Sequence, residues 1–215
     1  MPIPLAELKP YPFPPGMAIP RLMPFQEFPW NGDYHLAAEV LRLKEAHGLS
    51  MAIETGTCLG STALWLREHF DSVDTIEAND QYAAIAQARI GDDDACSVTV
   101  GNSADYVGNY LNAYGSGTFL FLDAHWGEHC PLLDELENIR HWNETDGRIV
   151  PCIVIHDFQV PGTDFGFDKM PDGRPFNLEL IAGHLDRIYG EGKYKTNYPT
   201  QVAGAKRGWI SIEPV

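Results

Sequence analysis

No apolar run approaches the ~18 residues that a membrane-spanning helix needs. The opening Met1-Pro-Ile-Pro4 also lacks the basic segment and apolar core of a secretory leader. The expectation is a soluble, cytoplasmic protein with no membrane partner. The four cysteines, Cys58, Cys96, Cys130 and Cys152, are widely spaced and form no C-x-x-C pair. That pattern argues for reduced thiols, two of them small hydrophobes in apolar strand-like runs. Basic residues are scarce: 15 Lys plus Arg stand against 30 Asp plus Glu, a formal charge of −15. Such an excess repels a phosphate backbone, so nucleic acid is a poor partner and a small neutral or cationic ligand a better one. Internal repeats are missing, and so are low-complexity tracts apart from a proline-rich start.

What is present is enough apolar material for one substantial core, with 44% hydrophobic residues in a chain of 215. Residues 1–30 hold nine of the 16 prolines, interleaved with Tyr11, Phe13, Phe25, Phe28 and Trp30. Proline at this density excludes helix and interior strand, while the aromatics need cover. An ordered arm over the domain, or over a second subunit in a homo-oligomer, is the expectation, followed by a domain at 31–215. Helical spacing over Tyr34–Ala46 ends at Gly48. Strand-like and helix-like segments then alternate: 51–54 and 61–69, 73–77 and 80–90, 97–100 and 103–112, 118–123 and 131–142, 149–156 and 177–185. Continuously apolar strands such as Phe119–Leu122 imply a parallel sheet with helices on both faces. The last two strands, 193–198 and 208–214, are joined by too short a link for a crossover and should pair antiparallel. On the 131–142 helix, Leu132, Leu133, Leu136 and Ile139 form the inward stripe, with Asp134, Glu135 and Glu137 expected outward.

The organising stretch is Met51-Ala-Ile-Glu-Thr-Gly-Thr-Cys-Leu-Gly-Ser61. A strand ends on an acid, and a turn carrying Gly56 and Gly60 leads into a helix whose first N–H groups are unpaired. This suits a nucleotide cradle, although the stretch by itself fits an ordinary strand-to-helix connection equally well. The dinucleotide fingerprint fails at Cys58 and Ser61, and no P-loop lysine follows. Glu77, at the end of the next strand, is placed to accept the hydroxyls of a ribose.

From residue 34 onward the chain resembles the class I S-adenosylmethionine-dependent methyltransferases. The resemblance rests on Glu54-Thr-Gly-Thr-Cys-Leu-Gly60, on Thr75-Ile-Glu77, on Gly101-Asn-Ser-Ala104 and on the terminal hairpin. It implies a Rossmann-like methyltransferase fold, an α/β sheet of seven mostly parallel strands. It also implies S-adenosylmethionine as cofactor, held by Glu54, Gly56, Thr57, Gly60, Ser61, Glu77, Asn102, Ser103 and Asp123. Cys58 stands where many members carry a glycine, and Asn102 where an acid is common.

Two further strands end on acids, in Leu122-Asp-Ala-His125 and in Ile155-His-Asp157. Adjacent carboxyl ends of parallel strands face one crevice, so Asp123, His125, His156 and Asp157 should converge there. This resembles the branch that methylates hydroxyls of small molecules, sugars or natural products and often holds a divalent metal. By that resemblance Asp123, His156 and Asp157 are ligand candidates for Mg, Mn or Fe. Histidine tilts the set toward softer ions than magnesium. Without metal, His125 is the candidate base beside Asp123; a helix-capping role for His125 fits the sequence as well. Phe165, Phe167 and Tyr11 or Phe13 are expected as walls of the acceptor pocket. Three alternatives stay open: a non-catalytic binder of S-adenosylmethionine or another nucleotide, an iron-dependent oxygenase using Asp123, His125 and His156, and a zinc site at His125, His129 and Cys130 that lacks a second Cys/His pair.

Overall fold

The computed structural model describes residues 8–20, 24–146 and 152–215. Helix α1 spans Tyr34–His47. The alternation then runs β1 (Met51–Thr55), α2 (Ser61–His69), β2 (Ser72–Glu77), α3 (Asp80–Ile90), β3 (Cys96–Val100), α4 (Val107–Tyr114), β4 (Thr118–Leu122), α5 (Leu132–Asp146), β5 (Cys152–His156), α6 (Leu178–Tyr189), β6 (Tyr194–Asn197) and β7 (Trp209–Pro214). The seven strands lie in the order β3-β2-β1-β4-β5-β7-β6. Neighbours from β3 to β5 pair parallel, and β7 is antiparallel to both β5 and β6. Among the described residues no helix is long and apolar enough to cross a membrane.

Pleating divides β4 between two cores. Leu120 and Leu122 join Leu132, Leu136, Ile139, Ile181 and Leu185 of α5 and α6 on one face. Phe119 and Phe121 join Leu36, Val40 and Leu43 of α1 and Trp65 of α2 on the other. Trp30 completes that second core, edge-on to both Trp65 and Phe121.

Boundaries depart from expectation where a side chain finds a better partner than the helix or strand offers. The fourth strand stops at Leu122, because Asp123 turns away to the site. The helix expected over 103–112 splits into a tight turn, Ser103–Asp105, and α4. Residues 149–151, expected at the start of the fifth strand, lie outside the described residues. Glu135 contradicts the outward reading of the α5 acids: it is buried, with Ser103 Oγ donating to Oε1 at 2.5 Å.

Helix α1 is fastened to β7 by polar contacts. Asp33 caps α1 through the N–H groups of His35 and Leu36 and also accepts from Trp209 Nε1 at 3.2 Å. Ser211 donates to Glu39, and Glu213 accepts from Arg42 and Asn197, with His47 Nε2 at 2.7 Å. Burial alone would push the Glu213 carboxyl up, but the bonds from Arg42 and His47 bring it down to about 2. A folded-state value below the unfolded one contributes stability above the unfolded pKa, and that contribution is lost as pH falls toward 2. Glu213→Gln should therefore cost about 2–3 kcal/mol at pH 7. It should also flatten the loss of stability between about pH 4.3 and 2, checked by urea unfolding across that range.

Candidate functional site

The strand order reverses between β1 and β4, and the connections leaving these strands part to opposite faces, opening a crevice at their carboxyl ends. A cavity of about 610 Å³ occupies it. Its lining includes Glu54, Gly56, Thr57, Ser61, Glu77, Gly101 and Ser103 from β1, β2, the start of α2 and the turns after β1 and β3, and Asp123, His125, Asp157, Asp168 and Arg207 from the other side.

Gly56 has φ 84, and a Cβ there would lie 2.5 Å from the Asp123 carbonyl oxygen. Only glycine lets the β1–α2 turn cross the end of β4 at that distance. Cys58 follows with φ 49, the left-handed region where glycine is the ordinary residue. Its thiol is pushed up to about 12 by burial and by Glu77. Glu77 accepts from the N–H of Cys58 at 2.7 Å and of Asn79 at 2.9 Å, each through a different oxygen. Burial raises its pKa while these bonds oppose the rise. Glu54 is buried deeper, accepts from Thr75 at 2.6 Å, and is raised well above its ordinary value by desolvation. Thr57 and Thr75 hydroxyls sit 2.5 Å apart and complete that chain.

Three of the expected cofactor contacts are placed elsewhere or already engaged. Gly60 does not line the cavity; a Cβ on it would meet Ala86 of α3, so it serves helix packing. Asn102 is also outside the lining, its Oδ1 buried without a hydrogen-bond partner among the described residues. The Ser61 hydroxyl reaches the cavity wall but donates to the Gln26 carbonyl at 2.7 Å.

Asp123, His125, His156 and Asp157 converge as the strand ends dictate. His125 Nε2 lies 3.3 Å from Asp157 Oδ2 and 3.7 Å from Asp123 Oδ1. His156 Nδ1 lies 3.2 Å from Asp123 Oδ1 and 3.6 Å from Asp157 Oδ2. Asp157 sits at φ 53, a left-handed kink that turns its carboxylate out of the strand. Ligand atoms of Asp123, His125 and Asp157 fall within 4.8 Å of one another, a mixed oxygen and nitrogen set that fits a first-row divalent ion. His156 is buried and outside the cavity lining. Desolvation would lower both imidazoles, but the carboxylates win. Asp157 and Asp123 raise His125, and Asp123 and Asp157 raise His156 well above its ordinary value. Burial would raise Asp157, yet His156 and His125 hold it well below the carboxylate range.

Arg207 and Asp168 were not legible in the sequence. Arg207, in the β6–β7 connection, donates from Nε to Asp157 and from Nη2 to Asp168. The loop after β5 is tied there as well, with the Asp168 N–H on the Asp157 carbonyl at 2.8 Å. The expected aromatic walls are corrected. The arm lines the cavity with Pro24, Gln26 and Phe28, and the loop with Asp168. Phe13 instead lies under the Arg89 guanidinium, 4.2 Å from its ring centre, and Arg89 also holds the Tyr11 carbonyl. Phe165 borders a separate, smaller cavity with Tyr34, and Phe167 lines neither. The zinc set does not assemble either, since the Cys130 thiol faces Met170 Sδ at 3.4 Å.

Neither a protein-family model nor a curated protein matches the chain. Solved structures do. The methyltransferase domain of bacterial CtHen1-CN superposes with a TM-score of 0.54 at 11% identity, over 82% of this chain and 96% of that one. CalS10, an amino pentose methyltransferase from Micromonospora echinaspora solved with SAM bound, gives 0.50 at 11%, over 84% and 91%. The precorrin 8W decarboxylase from Methanobacterium thermoautotrophicum gives 0.51 at 13%, over 95% and 97%. At such identities the likeness establishes architecture, and the strand order with its reversed last strand makes this chain a Rossmann-like methyltransferase fold.

Proposed function

We propose that the chain is an S-adenosylmethionine-dependent methyltransferase acting on a hydroxyl of a small molecule, with a divalent metal assisting. The observation that carries this is one cavity with two chemically distinct ends: Gly56, Glu77, Gly101 and Ser103 at one, Asp123, His125 and Asp157 at the other. The first end suits a nucleoside with a charged tail. Glu77 offers its remaining lone pairs to ribose hydroxyls, and the close turn at Gly56 brings backbone against the ligand. Asp123 and buried Glu54, both in the cavity lining, would suit a cationic amino group. When bound, S-adenosylmethionine supplies an electrophilic methyl group, as the SAM-bound CalS10 neighbour makes reasonable.

The second end must hold an acceptor oxygen in line and take its proton. A divalent ion on Asp123, His125 and Asp157 would lower that hydroxyl's pKa. Arg207 already neutralises one oxygen of Asp157, which leaves the other for His125 or for an ion. The same pairing supports a metal-free reading, in which neutral His125 receives the acceptor's proton and Asp123 and Asp157 stabilise the imidazolium so formed. Pro24, Gln26 and Phe28 of the arm line the same cavity and would limit the access of water to it. A non-catalytic binder would keep the first end and leave the second idle.

Titration calorimetry with S-adenosylmethionine and S-adenosylhomocysteine should give heat with both, and silence with both sinks the cofactor half. Mn²⁺ should bind the wild-type protein and be lost in Asp123→Asn and Asp157→Asn. Undiminished metal content in both variants removes the metal role.

The metal-free protein carries a pH signature as well. His156 has a folded pKa above its unfolded one, so its stabilisation is complete below about pH 6.5 and is lost as pH rises through the folded value. Proton NMR of the ring should give a titration midpoint above that of a free histidine, with stability falling as pH rises through it. A midpoint at or below the free value would mean that the carboxylates do not control the ring.

A further inference from the structure

Glu135 takes no part in the proposed transfer, yet it is 1% exposed and lies beneath the cavity floor, in the first turn of α5. Taking a carboxylate out of water is costly unless hydrogen bonds replace the lost hydration. The Ser103 hydroxyl does so here, donating to Oε1 at 2.5 Å. Burial pushes the Glu135 carboxyl up, and the Ser103 and Thr55 hydroxyls oppose the rise.

Both hydroxyls belong to the site. Ser103 lines the cavity on the nucleotide side, in the turn after β3. Thr55 ends β1, and its Oγ1 lies 3.3 Å from the Asp123 amide nitrogen, accepting that N–H alongside the Thr55 carbonyl at 3.0 Å. A second bond from α5, Asn138 Nδ2 to the Ala104 carbonyl at 2.8 Å, holds the same turn in place. Each hydroxyl has a single proton. Once that proton is committed to Glu135, only lone pairs remain, directed to the cavity from Ser103 and to the Asp123 amide from Thr55.

We infer that Glu135 is a positioning residue that sets the hydrogen-bond polarity of the site. It makes Ser103 an obligate acceptor for a donor group of the bound nucleoside, and Thr55 an obligate acceptor for the amide of Asp123. This role presupposes that the cavity takes S-adenosylmethionine. It accounts for an acid in the core, since a carboxylate presents acceptor oxygens alone to the hydroxyls beside it. Glutamine has the same shape and only one such oxygen. Its amide NH₂ must face one of the two hydroxyls and reverse it.

The test is S-adenosylhomocysteine affinity by calorimetry for wild type, Glu135→Gln, Ser103→Ala and the double variant, with far-ultraviolet circular dichroism and melting as folding controls. Glu135→Gln should stay folded and bind about tenfold more weakly, the scale of one hydrogen bond to a charged group. Ser103→Ala should lose a similar factor, and the double variant no more than Ser103→Ala alone, because both act through one bond. A merely structural Glu135 would lower melting and leave affinity unchanged, or give additive losses; either result overturns the role. No heat from the wild-type chain overturns the cofactor reading itself, and this role with it.

Discussion

The site depends on one close crossing. The turn leaving β1 passes over the end of β4 so tightly that residue 56 has no room for a Cβ against the Asp123 carbonyl. The Asp123 N–H in turn donates to the Thr55 carbonyl at 3.0 Å. Because β1 and β4 are adjacent and parallel, this crossing lies at the point where strand order reverses, and the crevice opens beside it. The end of the cavity at Gly56 and Glu77 and the end at Asp123 and Asp157 are thereby locked to each other. Widening the crossing by a methyl group would separate Glu77 from Asp123 and shift both ends.

Electrostatics governs the end at Asp123 and Asp157. Three carboxylates, Asp123, Asp157 and Asp168, meet two imidazoles and the Arg207 guanidinium. Buried charges of one sign are costly, and the cluster offsets that cost by setting each acid against an imidazole or the Arg207 guanidinium. The pairing also joins the chain across long separations: β4, β5, the loop after β5 and the β6–β7 connection all contribute. A protein of net charge −15 thus gathers basic side chains where its acids converge.

The described part of the arm lies on its own chain. Arg89 of α3 gathers it, bonding the carbonyls of Tyr11 and Leu59 and stacking on Phe13. Trp30 donates its N–H to Thr62 Oγ1 at 3.0 Å, and Ser61 holds the Gln26 carbonyl. The first turn of α2 is therefore committed to the arm, which explains why the Ser61 side chain is engaged away from a ligand. Gly204 packs against Asn31 and Gly32 where a side chain would clash, bringing the β6–β7 connection against the arm.

Local rules made most of the architecture legible. Helix and strand periods, the Gly48 stop and the glycine-bearing turn each act within a few residues, and the elements they imply are present with small shifts at their ends. Parallel pairing likewise followed from apolar strands, and placed Asp123, His125, His156 and Asp157 together before any distance was known. Tertiary packing alone decided the rest. Glu135 reads as a solvent-facing acid by helical spacing, yet it turns inward because Ser103 and Thr55 supply hydrogen bonds beneath the floor. Arg207 and Asp168 sit in connections with no periodicity, so only the folded loops reveal that they close the cluster. Sequence determined which strand ends carry acids, because backbone pattern and residue type are local properties. The fold decided which of those acids line the cavity and which partners hold them, because that depends on contacts between residues far apart in the chain.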